Sequence, residues 1–355
     1  MPREHRLEPR VRYAQTHDGV NIAFGSVGSG PALVLLPTVP FGFFQLEWQI
    51  PEYHAVFEAL ARQLQLVQYD ARGTGLSQRD ARDFSLPAML HDLDAVVRRA
   101  ALEHVALCGL FNGAPIALAY AAEHPERVSH VVLWGASARG HLGQADPQTQ
   151  ALLSLIERDW SLFTETAASA WMGWLPAEAA RRVARGFRAA VTPEVARAAL
   201  EAAARMDVTG HLDAIGTPTL VLHRTTMPLD VAGPAELVAR VPRAQLMVLE
   251  GDSANPYVGD SSAFVRAVLE FVLGDRGRSL VGEAPTRGPG APDGLTAREL
   301  DVLRHLAGGD ANQEIATRLG LSVHTIERHV ANIYRKIDAR GRADATAYAL
   351  RHHLA

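Results

Sequence analysis

Lysine is almost missing from this chain. Lys336 is the only one, so the positive charge is carried by arginine. Cysteine is as scarce: the single Cys108 excludes a disulfide within the chain and points to a reducing compartment, so a cytoplasmic location is expected. Cys108 lies inside an apolar run, where a thiol behaves as a small hydrophobe. No apolar stretch approaches the roughly 20 residues that cross a bilayer, and the first residues, Met1 to Arg6, are polar; neither a leader nor a membrane partner is expected. Strong charge of one sign is also absent. A formal net charge of -4 over 355 residues gives no general attraction to nucleic acid or anionic lipid, so any DNA contact must come from local arrangement. No metal and no cofactor are expected.

What is present is a chain that is 48% hydrophobic and long enough for one large domain and one small one. Val11 to Thr16 and Val20 to Val27 flank Asp18-Gly19 as a hairpin. Ala32 to Leu36 is a continuous apolar run of the kind buried on both faces of a sheet. Tyr53 to Gln63 has helical spacing, Leu64 to Asp70 returns as a strand, and Leu86 to Ala101 is an amphipathic helix. Val105 to Leu110, Val128 to Trp134, Pro218 to His223 and Gln245 to Leu249 read as further strands, with helices between them and a closing helix from Ser261 to Leu273. That alternation means a mostly parallel sheet covered on both faces. From Ala136 to Gly210 only helices rich in Ala, Arg, Trp and Met are expected, the place of a cap. Arg276 to Pro292 is rich in Gly and Pro and reads as a linker. The expected division is 1–275, 276–292 and 293–355.

The large part is organised around Gly109-Leu110-Phe111-Asn112-Gly113, where an apolar strand turns sharply into a helix of small residues. This is the layout of a nucleophile elbow, which normally places a serine at its apex. Together with Asp70-Ala71-Arg72-Gly73-Thr74-Gly75-Leu76-Ser77 and Ala122-Glu123-His124-Pro125-Glu126-Arg127-Val128, it resembles the α/β-hydrolase family over residues 11–273. Members use Ser, His and Asp for acyl transfer. The resemblance puts Phe111 at the nucleophile position, Ala254 at the histidine, and Met227 or Thr226 at the acid, with Asp230 close enough to leave that alignment open. The loop that usually supplies an oxyanion donor reads Pro37-Thr38, and proline has no N–H to give. Hydrolysis is therefore not expected. The cleft is expected instead to hold a small, apolar or aromatic effector, with Thr38, Val39, Phe41, Trp48, Phe111, Asn112, Trp171 and Asn255 as the candidate contacts. Two other readings stay open: an enzyme using Asp230, Asp252 or Ser253, and a ligand-free dimerisation or protein-interaction module.

At the other end, Leu295 to Leu303, Asn312 to Ala316 and Leu321 to Ile337 carry the pattern of the LuxR-type, or GerE-like, helix-turn-helix domain, which 294–355 resembles over its whole length. Thr296 with Glu299 makes a capping box, and Ser322 an N-cap. Ile326, Val330, Ile333 and Ile337 set one helix face into a core. The resemblance implies a small four-helix fold whose third helix enters the major groove of double-stranded DNA. Ser322, His324, Thr325, Glu327, Arg328, Asn332, Arg335 and Lys336 are the candidate contacts. Arg328 suits a guanine edge and Glu327 a cytosine, while Thr325, Asn332, Arg335 and Lys336 suit phosphates. Ala347, Leu350 and Leu354 on the last helix form a stripe for a homodimer, and RNA polymerase is a possible further partner. The whole reads as a DNA-binding regulator controlled by a degenerate hydrolase-like sensor.

Overall fold

The computed structural model describes residues 8–140, 147–171, 177–227, 231–251, 253–277, 295, 297–319 and 323–352. The chain divides into two compact units, Met1–Val281 and Gly282–Ala355. The break falls inside the Gly/Pro-rich stretch read above as a linker.

In the first unit, strands β1 (Arg12–Gln15), β2 (Asn21–Val27), β3 (Ala32–Leu35), β4 (Gln65–Tyr69), β5 (Val105–Leu110), β6 (Val128–Trp134), β7 (Thr219–Arg224) and β8 (Ala244–Leu249) form one eight-stranded sheet. Its order is β1-β2-β4-β3-β5-β6-β7-β8. The β1–β2 hairpin and the β2–β4 pair are antiparallel; every other pairing is parallel. The apolar runs sit where both faces are covered, and the period of two along each strand splits them between two cores. Leu33, Leu35, Ala106, Cys108, Leu110, Val132 and Trp134 point to one, while Val34, Val105, Leu107, Val131 and Leu133 point to the other.

The first core is closed by α2 (Pro51–Ala61) and α11 (Ser262–Leu273), and the second by α3 (Leu86–Arg99), α4 (Gly113–Glu123) and cap helices. Helix α3 starts where its residues dictate: the Ser85 side chain accepts from the Ala88 N–H, Pro87 sits in the first turn where its missing donor costs nothing, and Leu93, Val96 and Val97 bury one face. The loop expected after β3 contains one short helix, α1 (Phe44–Glu47).

The segment expected to be a cap is helical: α5 (Pro147–Leu153), α6 (Leu155–Arg158), α7 (Trp160–Trp171), α8 (Ala177–Ala190) and α9 (Pro193–Ala204). One bridge, Arg139 with Asp207, joins its two ends. Helix α10 (Ala232–Arg240) then packs on β7 and β8. The second unit contains α12 (Ala297–Ala307), α13 (Asn312–Leu319), α14 (Val323–Lys336) and α15 (Arg342–Arg351) around its own core of Val302, Leu303, Leu306, Ile315, Ile326, Ile333 and Ala349. Among the described residues, no helix is long and apolar enough to cross a membrane.

Candidate functional site

Between β5 and α4 the chain turns through Phe111, whose φ of 49° lies in the left-handed region. A phenylalanine there carries strain of about 1–3 kcal/mol, tolerated where the surroundings fix the backbone. They do so here. The Phe111 N–H donates to the Trp134 carbonyl at 3.0 Å, and its own carbonyl accepts from the Ala114 N–H at 3.0 Å. A Cβ on Gly109 would lie 2.7 Å from the Gly113 carbonyl oxygen and 3.0 Å from the Ala114 Cα, so the strand-to-helix turn closes only with glycine at that position. The elbow geometry is intact and its apex is a benzyl group.

The other two positions aligned with a triad lie in the same place. A Cβ on Gly135 would sit 2.7 Å from Met227 Cε and 2.9 Å from Phe111 Cε1, so both side chains press on one glycine at the end of β6. Met227, Ala254, Trp134 and the half-buried Phe111 belong to one apolar cluster, and the Trp134 indole N–H donates to the Ala254 carbonyl at 2.7 Å. Of the two residues offered for the acid position, Met227 is the one in this cluster; Thr226 is turned to the Gly251 carbonyl at 2.9 Å. An apolar contact therefore occupies the ground where a proton relay would stand.

A buried arginine that sequence reading does not single out holds this arrangement. Arg224, at the end of β7, lies over the Trp134 ring at 5.2 Å. Its Nη1 donates to the carbonyls of Ser253, Asn255 and Val258 at 3.1, 3.2 and 3.0 Å, and Nη2 to that of Asp260 at 3.1 Å. The loop after β8 is thus wound around one guanidinium, which fixes Ala254 in its slot. The signal was a charged residue closing an otherwise apolar strand.

Two carboxyls hold the loop after β3. Asp70 accepts from the Phe44 N–H and the Leu76 N–H, both at 2.9 Å, and burial pushes its carboxyl up to about 7. Burial, then the neighbouring Asp70, raises Glu47 to about 7 as well. Arg72, also buried, bridges Asp92 and Asp18 at 2.8 Å each and ties the hairpin to α3. The Asp70–Ser77 motif therefore serves the fold.

The expected ligand contacts separate under this geometry. Asn112 reaches the Val39 carbonyl at 3.5 Å, which brings the elbow and the Thr38–Val39 loop together. Thr38 and Phe111 are part-buried beside them, while Val39 is buried. Trp48 is corrected to a core residue, its indole N–H bonded to Gln68 Oε1 at 2.7 Å and its ring against Phe57. Asn255 is likewise committed inward: Nδ2 donates to the Tyr53 hydroxyl at 2.5 Å and Oδ1 accepts from the Tyr257 N–H at 2.8 Å. Phe41 is buried against Phe163 and Phe187 of the cap, with ring centroids 6.2 and 4.5 Å away. Ser253 bonds the Asn255 backbone at 3.2 Å. The Trp171 side chain, Asp230 and Asp252 lie outside the described residues. Among the described residues, no cluster of His, Cys, Asp or Glu is placed to hold a metal ion.

In the second unit, α14 turns Ile326 and Ile333 inward, with Val330 and Ile337 packed beside them, and leaves Glu327, Arg328, Ala331 and Arg335 exposed. Thr325 and Asn332 are part-buried at the rim of that face, and Arg335 donates to Asn332 Oδ1 at 3.1 Å. Lys336 is a correction to the phosphate set: its Nζ bonds Glu299 Oε2 at 2.7 Å, where a buried carboxylate requires a cation. Arg342 is also structural, donating to the carbonyls of Leu306 and Asp310. Thr296, Ser322 and the side chain of His324 lie outside the described residues, as does Leu354; Leu350 is exposed on α15.

Comparison with known proteins divides the chain the same way. Residues 31–252 match the family described as alpha/beta hydrolase fold, and residues 293–349 match bacterial regulatory proteins of the luxR family. The transcriptional regulatory protein LiaR of Bacillus subtilis is 40% identical over 62 residues, 18% of this chain and 29% of that protein. The response regulator protein VraR of Staphylococcus aureus is 40% identical over 60 residues, 17% of this chain and 29% of its own. The chain thus spans less than a third of the length of these relatives. Among solved structures, an esterase from Exiguobacterium antarcticum superposes with a TM-score of 0.64 at 19% identity, over 74% of this chain and 100% of that one. An enol-lactonase from Burkholderia xenovorans superposes with a TM-score of 0.63 at 19% identity over the same shares. At that identity the likeness speaks for the fold alone.

Proposed function

We propose, from the premise that the chain belongs to the alpha/beta hydrolase fold family and carries a luxR-family module at its C-terminal end, that it is a DNA-binding transcriptional regulator whose first unit senses a small molecule without hydrolysing it. The observation that carries the sensing part is the contact of Phe111 and Met227 on Gly135, within one apolar cluster that also holds Ala254. Neither a phenyl ring, a thioether nor a methyl group can take or relay a proton at neutral pH. The elbow is nonetheless maintained at the cost of a left-handed phenylalanine, which favours a retained shape over a retained reaction.

The DNA-reading part is supported by the exposed Glu327, Arg328 and Arg335 on α14 and by the luxR-family match. Arg328 would read a guanine edge, Glu327 a cytosine amine, and Arg335 with Thr325 and Asn332 the backbone. Ser322 and His324 belong to the same proposal. A single short helix reads few bases, so two copies on a near-palindromic site of double-stranded DNA are the arrangement proposed, with RNA polymerase as the downstream partner. The effector would be apolar or aromatic and would meet Thr38, Val39, Phe111 and Asn112. It acts by binding the DNA-competent and incompetent states unequally, since equal affinity shifts nothing.

A second reading, a ligand-free interaction module, is favoured by one set of contacts: Phe41, Trp48 and Asn255 are spent on internal packing. One experiment separates the readings. The full chain is melted in the presence of aryl carboxylates, phenols, lactones and medium-chain fatty acids, and hits are carried into DNA titrations. A sensor gives a concentration-dependent rise in the first melting transition and a changed DNA affinity. No hit across these classes favours the interaction module, and turnover of an aryl ester removes the proposal.

A further inference from the structure

The two edges of the sheet are finished differently. The β1 edge is four residues long, begins at an arginine, and folds that arginine back: Arg12 donates to Ser26 Oγ at 3.0 Å and lies over the Phe24 ring. A short strand with a charge on it discourages pairing with another chain. The β8 edge has no such protection. Its six residues, Ala244-Gln245-Leu246-Met247-Val248-Leu249, contain no charge, proline or glycine, and the sheet order ends with it. Leu246, Met247 and Val248 are 36%, 38% and 52% exposed, and because neighbours along a strand face opposite ways, both faces of the edge are open. A short, uncharged, β-prone strand with a free ladder is what sheet proteins otherwise avoid showing to solvent.

We infer that β8 pairs antiparallel with β8 of a second copy of this chain, joining two sheets across a twofold axis. The charges flanking the strand favour a second copy over another strand. Arg243 precedes β8 and Glu250 follows it; both are exposed, and neither makes an ion pair among the described residues. An antiparallel copy lays each Arg243 end beside the other chain's Glu250 end, whereas a parallel neighbour of the same sequence would set like charge on like. The strand is thus complementary to itself in one direction only. A twofold axis through the ladder must pair one residue with its own copy, because outward N–H groups alternate along a strand. Leu246 and Met247 are the two residues that can occupy that centre while keeping the apolar overlap nearly complete.

The interface supplied by one short ladder is small beside the standard of roughly 800 Å² per partner. Association of the first units is therefore expected to be concentration-dependent, and to add to whatever pairing DNA imposes on the second units. This inference rests on the two-copy part of the function proposed above.

The test is sedimentation of the full chain over roughly 1–100 μM, the range in which small interfaces assemble. Wild type should pass from monomer to dimer, with amides of 245–248 gaining hydrogen-exchange protection as the dimer fills. Val248→Lys should weaken association by about tenfold or more, because a charge is introduced into the ladder. Arg243→Glu alone should weaken it several-fold, and Arg243→Glu with Glu250→Arg should recover it; the recovery is specific to antiparallel self-pairing. These positions are exposed, so each variant should melt as wild type does. A dimer that ignores Val248→Lys overturns the β8 pairing while leaving two copies intact. A dimer that is lost with Val248→Lys but not recovered by the double charge reversal overturns the antiparallel arrangement. A chain monomeric throughout and on DNA overturns both this inference and the two-copy reading.

Discussion

The elbow of the first unit and the exposed face of α14 are both places where a family's working residues would stand, and they have been treated in opposite ways. At the elbow the backbone is held at a strained φ by Gly109, Trp134 and Ala114, yet the side chains converging there are Phe111, Met227 and Ala254. On α14 the backbone is an ordinary helix and the outward side chains remain polar and charged. Geometry kept with chemistry replaced, beside geometry kept with chemistry retained, suggests that selection on the two units now acts on different things. In the first it acts on shape and packing; in the second on groups that can bond a partner.

The contrast is sharpest where a charged residue turns out to be architectural. Lys336 should behave as part of the second unit's core, because its partner Glu299 is buried. Replacing it by methionine strands that carboxylate, and breaking such a pair costs about 3 kcal/mol. The expected result for Lys336→Met is a large fall in the second melting transition, while the dependence of DNA affinity on salt, measured below that transition, stays as steep as in wild type. A slope reduced by about one phosphate contact would return Lys336 to the DNA-facing set.

Next in size is Phe111→Ser. Removing a half-buried ring from the Met227 contact should lower the first transition by about 2 kcal/mol. Despite placing a hydroxyl at the apex, the change should yield no turnover of aryl or acyl esters in a continuous assay, since Ala254 and Met227 offer no base or acid. Measurable esterase activity in Phe111→Ser would mean that a proton acceptor stands nearby after all, and the contrast between the two units would fail.

Much of this was readable in the chain beforehand, and the gaps have physical causes. The strands from β3 to β8 announced themselves because a sheet covered on both faces needs unbroken apolar runs, and the elbow because its glycines are sterically required. The two antiparallel strands were visible as a hairpin around Asp18-Gly19. What composition could not reveal was which polar groups turn inward. Trp48, Asn255 and Lys336 were assigned to surfaces on residue type, but their bonds to Gln68, Tyr53 and Glu299 span 20, 202 and 37 residues. Arg224 was passed over for the same reason, since the carbonyls it gathers come from a loop that only the fold brings near. Side-chain fates set by long-range pairing are invisible to local pattern.

Arg328→Ala carries the third expected effect, on the other side of the comparison. Loss of a bidentate contact to one base costs roughly 1–3 kcal/mol, so affinity for the preferred site should fall about tenfold. Both melting transitions should hold, since the side chain is exposed. Discrimination at one base position should relax in parallel, which competition with single-base variants of the site would register. A uniform weakening across all sequences would instead make Arg328 a phosphate contact.

The smallest effect belongs to the carboxyls beneath the loop after β3. Asp70 and Glu47 are raised to about 7 from ordinary values of 3.8 and 4.5, chiefly by burial. The folded chain therefore holds protons that the unfolded chain has released, and the stability this confers is complete below those ordinary values and is lost as pH rises through about 7. Asp18, held low by its bond to Arg72, works in the opposite sense, but its window lies below 3.8 and does not reach the range at issue. His130 is lowered by burial and so gains in stability as pH rises toward 6.5, partly offsetting the carboxyls. The first transition should consequently fall modestly between about pH 5.5 and about pH 8, and Glu47→Gln should flatten that fall by removing one titrating group and the charge that raises the other. An unchanged slope in Glu47→Gln would show that the loop is not held by these protons, and the first unit's retained shape would then depend on apolar packing and Arg224 alone.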